Sequence, residues 1–114
     1  MRKMSGAIAL VLAVIAVPAL AEADQSFQGA GEQTTLDCDG GSIEIEGASN
    51  ELVVTGDCTS LTVNGAGNRI QVAMAPGGRI IVEGASNRVR WSAPAGKKAL
   101  IRSTGAGNQF ARIN

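Results

Sequence analysis

The chain has 114 residues, one domain's worth, with ten acidic and ten basic side chains, no histidine, no tyrosine and 3% aromatics. The absence of histidine excludes every Ser-His, Cys-His and His-metal arrangement. The even charge balance gives no case for nucleic-acid binding.

Residues 1–23 read as an export segment. Arg2 and Lys3 precede Ala7 to Val17, an apolar run of 11 residues that Pro18 ends. Such a run suits a signal-peptide core and is too short for an uncleaved membrane anchor. Ala19-Leu20-Ala21 and Ala21-Glu22-Ala23 are both small-x-small sites, so cleavage is expected after Ala21 or Ala23, leaving residues 24–114 as the folded domain. The first cysteine is Cys38, so a lipid-anchored lipoprotein is not expected. A soluble periplasmic or extracellular protein, with no transmembrane segment after cleavage, is the expected product. Removing residues 1–21 leaves ten acids and 10 − 2 = 8 bases, a net charge of −2. Nine of the acids lie between Glu22 and Asp57, and all eight bases lie between Arg69 and Arg112.

Beyond the leader the chain repeats itself. Gly47-Ala48-Ser49-Asn50, Gly65-Ala66-Gly67-Asn68, Gly84-Ala85-Ser86-Asn87 and Gly105-Ala106-Gly107-Asn108 place asparagines 18, 19 and 21 residues apart. A worn copy, Gly29-Ala30-Gly31-Glu32, lies 18 residues before the first. Each tetrapeptide is flanked by short runs of period 2, with apolar columns at −7, −5, +2 and +4 from the asparagine. Column −7 reads Ile43, Leu61, Ile80, Ile101, and column +2 reads Leu52, Ile70, Val89, Phe110. Turn-rich joints separate the units at Thr55-Gly56-Asp57, Ala75-Pro76-Gly77-Gly78 and Ala93-Pro94-Ala95-Gly96.

The expected fold is all-β: a short parallel β-solenoid (β-helix) of four to five coils of 18–21 residues, each with three short sides. An antiparallel β-meander turning at each tetrapeptide is the alternative; recurrence of like residues in columns favours the solenoid. Stacking predicts an inward ladder of Asn50, Asn68, Asn87 and Asn108, with the alanines at 48, 66, 85 and 106 allowing close packing at the corner. In the last unit Phe110, Ser103 and Arg112 interrupt the columns, as Trp91 does by its size one unit earlier. These residues, and Gln33, Thr34 and Thr35 at the other end, read as caps against further strand addition.

Cys38 and Cys58 fall in the joints of successive coils. In an oxidising compartment, one coil apart, they are expected to form a disulfide. A redox-active pair would call for a Cys-x-x-Cys spacing, which is absent.

The run Gly47-Ala48-Ser49-Asn50-Glu51-Leu52-Val53-Val54-Thr55-Gly56-Asp57-Cys58, with Leu61-Thr62-Val63, resembles the small exported bacterial proteins catalogued as domain of unknown function 3060. The resemblance extends from about Cys38 to Arg90. It implies a fold and an exported location, and no site residues.

Three clusters of side chains invite a chemical reading. Asp37, Asp39 and Asp57 in Gly-rich joints suggest calcium, against their ordinary use as turn residues; no EF-hand glutamate follows. Arg69, Arg88 and Arg90, with Lys97-Lys98 in the next joint, form a basic strip fit for an anionic glycan or lipid head group, or simply a solvated face. Trp91 suits a sugar ring, but its column parity points inward. Glu44, Glu46, Glu51 and Glu83 occupy outward columns without a facing pair, so no enzyme and no cofactor are expected. The function expected is therefore non-enzymatic, structural or binding, with the alternatives of a module for an anionic cell-envelope component and a self-assembling, amyloid-like subunit. The charge separation also predicts weak head-to-tail self-association.

Overall fold

A computed structural model describes residues 24–114; the expected export segment lies outside the described residues. Eight strands follow in order: β1 (Asp24–Ala30), β2 (Gln33–Asp37), β3 (Ser42–Ala48), β4 (Glu51–Ala66), β5 (Arg69–Ala85), β6 (Arg88–Ser92), β7 (Leu100–Ala106) and β8 (Gln109–Arg112). Every pairing between them is parallel. That removes the antiparallel meander and leaves a β-solenoid of about five turns.

Each coil gives one strand to each of two ladders. The first ladder stacks β1, β3, residues 60–66, residues 79–85 and β7. The second stacks β2, residues 51–55, residues 69–73, β6 and β8. The long strands β4 and β5 therefore turn a corner and serve both ladders in different coils. The repeat spacing becomes register: Ser42 pairs with Ser60, Ser60 with Arg79 and Arg79 with Leu100. The third side is a joint that carries less regular pairing. Cys58 pairs with Met74 there, with register shifts on both sides. Unequal coil lengths are absorbed at this joint, while the two ladders stay in step.

Alternation of apolar and polar residues sorts the side chains. Ile45, Leu61, Val63, Ile80, Val82 and Val89 are fully enclosed, and the odd-numbered outer residues of the second ladder, Glu51, Val53, Arg69 and Gln71's column mates, face out. Fully burying such a side chain contributes about 1.5–3 kcal/mol. Side chains of the two ladders meet in one buried cluster between them, and the disulfide Cys38–Cys58, whose Cα atoms are 5.3 Å apart, ties the first two coils together.

The corner corrects one expectation. The alanines at 48, 66, 85 and 106 stack in register but are exposed. The glycine before each alanine makes the close approach. A Cβ on Gly47, Gly65, Gly84 or Gly105 would overlap the carbonyl oxygen of the glycine one coil earlier, and φ at these residues lies between 117° and 145°. Both facts demand glycine. Of the three sides, two are regular ladders and the third is the joint.

Candidate functional site

The asparagine ladder is the frame on which the outer face is held. Asn50 donates from its backbone N and its Nδ2 to Asn68 Oδ1, at 3.1 and 3.0 Å. Asn68 does the same to Asn87 Oδ1, and Asn87 to Asn108 Oδ1. The second Nδ2 hydrogen of each goes back to a glycine carbonyl of the preceding coil: Gly29 for Asn50, Gly47 for Asn68, Gly65 for Asn87 and Gly84 for Asn108. A buried amide is thereby satisfied on both its ends, which a buried polar group requires. The residue just before each asparagine, Ser49, Gly67, Ser86 or Gly107, takes φ of 58–73° and turns the chain into the second ladder.

Immediately after that turn the side chains at +1 and +3 point outward. Register places Glu51, Arg69, Arg88 and Gln109 in one column and Val53, Gln71, Arg90 and Ala111 in the next. Arg69, Arg88 and Arg90 thus meet on one face. They line a shallow open groove of about 580 Å³ together with Gln33, Thr35, Val53 and Gln71. The guanidinium groups of Arg69, Arg88 and Arg90 hydrogen-bond to none of the described residues, whereas Arg112 donates to the carbonyls of Ala93, Pro94 and Lys97. Glu51, next in the column, accepts from Gln33 Nε2 at 2.7 Å. Arg69 and Arg88 sit one coil apart, about 4.8 Å between backbones, so their like charges gain from an anion placed between them.

The sequence reading found the three arginines but not their partners. Gln33, Gln71 and the 42%-exposed Val53 share the same two columns and emerge from the same offset arithmetic once it is applied to every coil. Lys97 and Lys98 lie in the joint and do not line the groove.

The other candidates have local roles. Asp37 Oδ1 accepts from the backbone N of Asp39 at 2.8 Å, closing a turn. Asp39 and Asp57 themselves take φ of 51° and 52° at the corners. No group of three acidic or cysteine side chains able to hold a metal ion comes together among the described residues. Trp91 points into the core, 8% exposed, and Arg112 covers its ring with Cζ 5.0 Å from the centroid, so neither ring face is open to a sugar. Glu44, Glu46 and Glu83 stand on the first ladder and Glu51 on the second, on different faces.

No helix among the described residues is long and apolar enough to cross a membrane. No curated protein and no solved structure matches the chain. A family model described as "Protein of unknown function (DUF3060)" matches residues 45–107, which holds three of the four tetrapeptides whole, Cys58, all three groove arginines and more than half of the chain, and the protein therefore belongs to that family.

Proposed function

We propose that this protein is an exported, non-enzymatic binding module whose basic groove takes an anionic glycan or lipid head group of the cell envelope. The observation that carries the reading is the convergence of Arg69, Arg88 and Arg90 on one groove with the amides of Gln33 and Gln71. Arginine presents a planar fork of donors suited to carboxylate, sulfate and phosphate oxygens, and amides suit sugar hydroxyls. Export is supported by the charged, apolar and small-residue pattern of residues 1–23 and by the disulfide.

Binding to a sulfated polysaccharide column and to vesicles carrying anionic lipid tests this. Retention is expected at low salt. The triple variant Arg69→Gln, Arg88→Gln, Arg90→Gln should weaken it at least about tenfold. Arg79→Gln with Arg102→Gln removes charge from the first ladder and should change it little. Equal losses in both variants would show attraction to charge in general and overturn the groove.

A further inference from the structure

The two ends of the solenoid differ in sign and match in shape. Residues 24–59 hold eight acids and no base, and residues 60–114 hold eight bases and one acid. Because coils stack in chain order, the first two coils carry the acids and the last three the bases. Among the described residues nothing covers the outer edges of β1 and β2 at one end or of β7 and β8 at the other.

At the tetrapeptide, the last coil continues into the first. The tetrapeptide core Gly105-Ala106-Gly107 is repeated as Gly29-Ala30-Gly31. Gly107 and Gly31 both turn at positive φ, 73° and 68°. Within the stack each column glycine is dictated by the carbonyl of the coil before it. Gly29 has no such coil among the described residues, and the nearest atoms to a Cβ there are side-chain atoms of its own coil, Glu32 Cγ at 2.8 Å and the Phe27 ring at 3.1 Å, so the Glu32 side chain would have to give way. A preceding coil supplied by another molecule would give Gly29 the carbonyl contact that its column mates have, although Gly29 does not share their positive φ.

The asparagine ladder ends in the same way. Asn50, Asn68 and Asn87 each donate twice to the Oδ1 of the next coil, but Asn108 Nδ2 turns to Ser103 Oγ of its own coil at 3.2 Å. Glu32 holds the asparagine position of the first coil, its backbone N donating to Asn50 Oδ1 at 3.0 Å. Its carboxylate accepts only, and would offer Asn108 N the acceptor that the next coil offers each earlier asparagine. Two core columns complement one another in size: small Ser103 would follow onto large Phe27, and large Phe110 onto small Thr34; in the third, Arg112 would follow onto Leu36 and would cover it with its aliphatic stem. On the outside Gln109 would follow onto Gln33.

We infer that the ends are an interaction surface for a second copy of this chain, with β7 and β8 of one molecule seated on β1 and β2 of the next in unbroken register. The residues that blunt these edges toward an arbitrary strand are complementary to each other. The contact is heterologous and does not close, so it builds linear chains with a repeat of five coils, about 24 Å. Opposite net charges bring the ends together, so association weakens as salt rises.

Light scattering of the purified protein at about 10 mM and about 300 mM salt reads this out. The mean mass at low salt should rise with concentration to at least twice that of the monomer and fall toward the monomer at high salt. Gly29→Ala should stay monomeric in both while its melting temperature holds, because the added methyl meets backbone only across the proposed contact. Thr34→Trp, which fills the place offered to Phe110 at an exposed position, should do the same. A wild-type mass that stays monomeric at low salt, or rises with salt, overturns the proposal. So does association of both variants to the wild-type extent, which would mark a contact made by charge without register.

Discussion

Asn68 and Asn108 hold the same place in the same tetrapeptide, and each accepts two hydrogen bonds from the asparagine before it and gives one to a glycine carbonyl. Asn68 is fully buried between two coils, while Asn108 lies in the last described coil and is partly open to water. These three bonds are alike; the sites differ in that Asn68 also donates twice to Asn87 Oδ1, while Asn108 turns to Ser103 and to solvent. A polar group in this fold is costly to disturb in proportion to the coils on both sides of it. The same contrast separates Gly65 from Gly29, and Val63 from Ser103. Interior coils are constrained from two directions, and terminal coils from one.

The largest effect is expected from the glycine column. Gly65→Ala places a methyl group inside the Gly47 carbonyl at a φ of 145°, so both sterics and backbone oppose it. The loss should exceed about 4 kcal/mol, enough to prevent folding of a thin-cored domain, whereas Gly29→Ala should melt close to the wild type. Equal melting temperatures for the two would break the comparison between interior and end.

Next is the disulfide, which ties an end coil to an interior one. Replacing Cys38 and Cys58 together by alanine should cost about 3 kcal/mol in the chain-entropy model. Hydrogen exchange sharpens the point: β1 and β2 should lose protection while residues 69–85 keep theirs. Uniform loss along the chain would mean that the first coil is not a separable end.

The smallest effect is the difference between the asparagines themselves. Asn68→Ala leaves Asn50 N, Asn50 Nδ2 and the Gly47 carbonyl without partners, at a cost on the order of 1–3 kcal/mol. Asn108→Ala removes equivalent bonds where water can substitute, and should cost less than about 1 kcal/mol. Thermal unfolding of the two variants side by side measures it, and equal costs would place the burden on the bonds and not on their desolvation.

Much of this was legible in the chain. Four asparagines at spacings of 18, 19 and 21 residues announced the coils, and the same differences reappear as Ser42, Ser60, Arg79 and Leu100 in register. Period 2 assigned Arg69, Arg88 and Arg90 to one outer face before any coordinates. The corner was not legible in the same way. Glycine and alanine are both small, and only the stacking distance shows that Gly47 touches the next coil while Ala48 faces solvent. Nor did Asp37, Asp39 and Asp57 reveal their local geometry, since turn and metal use draw on the same residues; the hydrogen bond from Asp39 N to Asp37 Oδ1 and the positive φ of Asp39 and Asp57 show the turn.

The sequence by itself determined the repeat, the strand faces, the pairing of the two cysteines and the separation of acids from bases, because each is a matter of periodicity or order along the chain. Tertiary structure decided what depends on distance between coils: that the two ladders run parallel, that the glycine column carries the close contact, that Gln33, Val53 and Gln71 join the arginines in one groove, and that Asn108 turns to Ser103 and Arg112 to the joint carbonyls. The physical reason is that side-chain alternation is a property of one strand, whereas a groove, a clash or a completed ladder exists only between strands held about 4.8 Å apart.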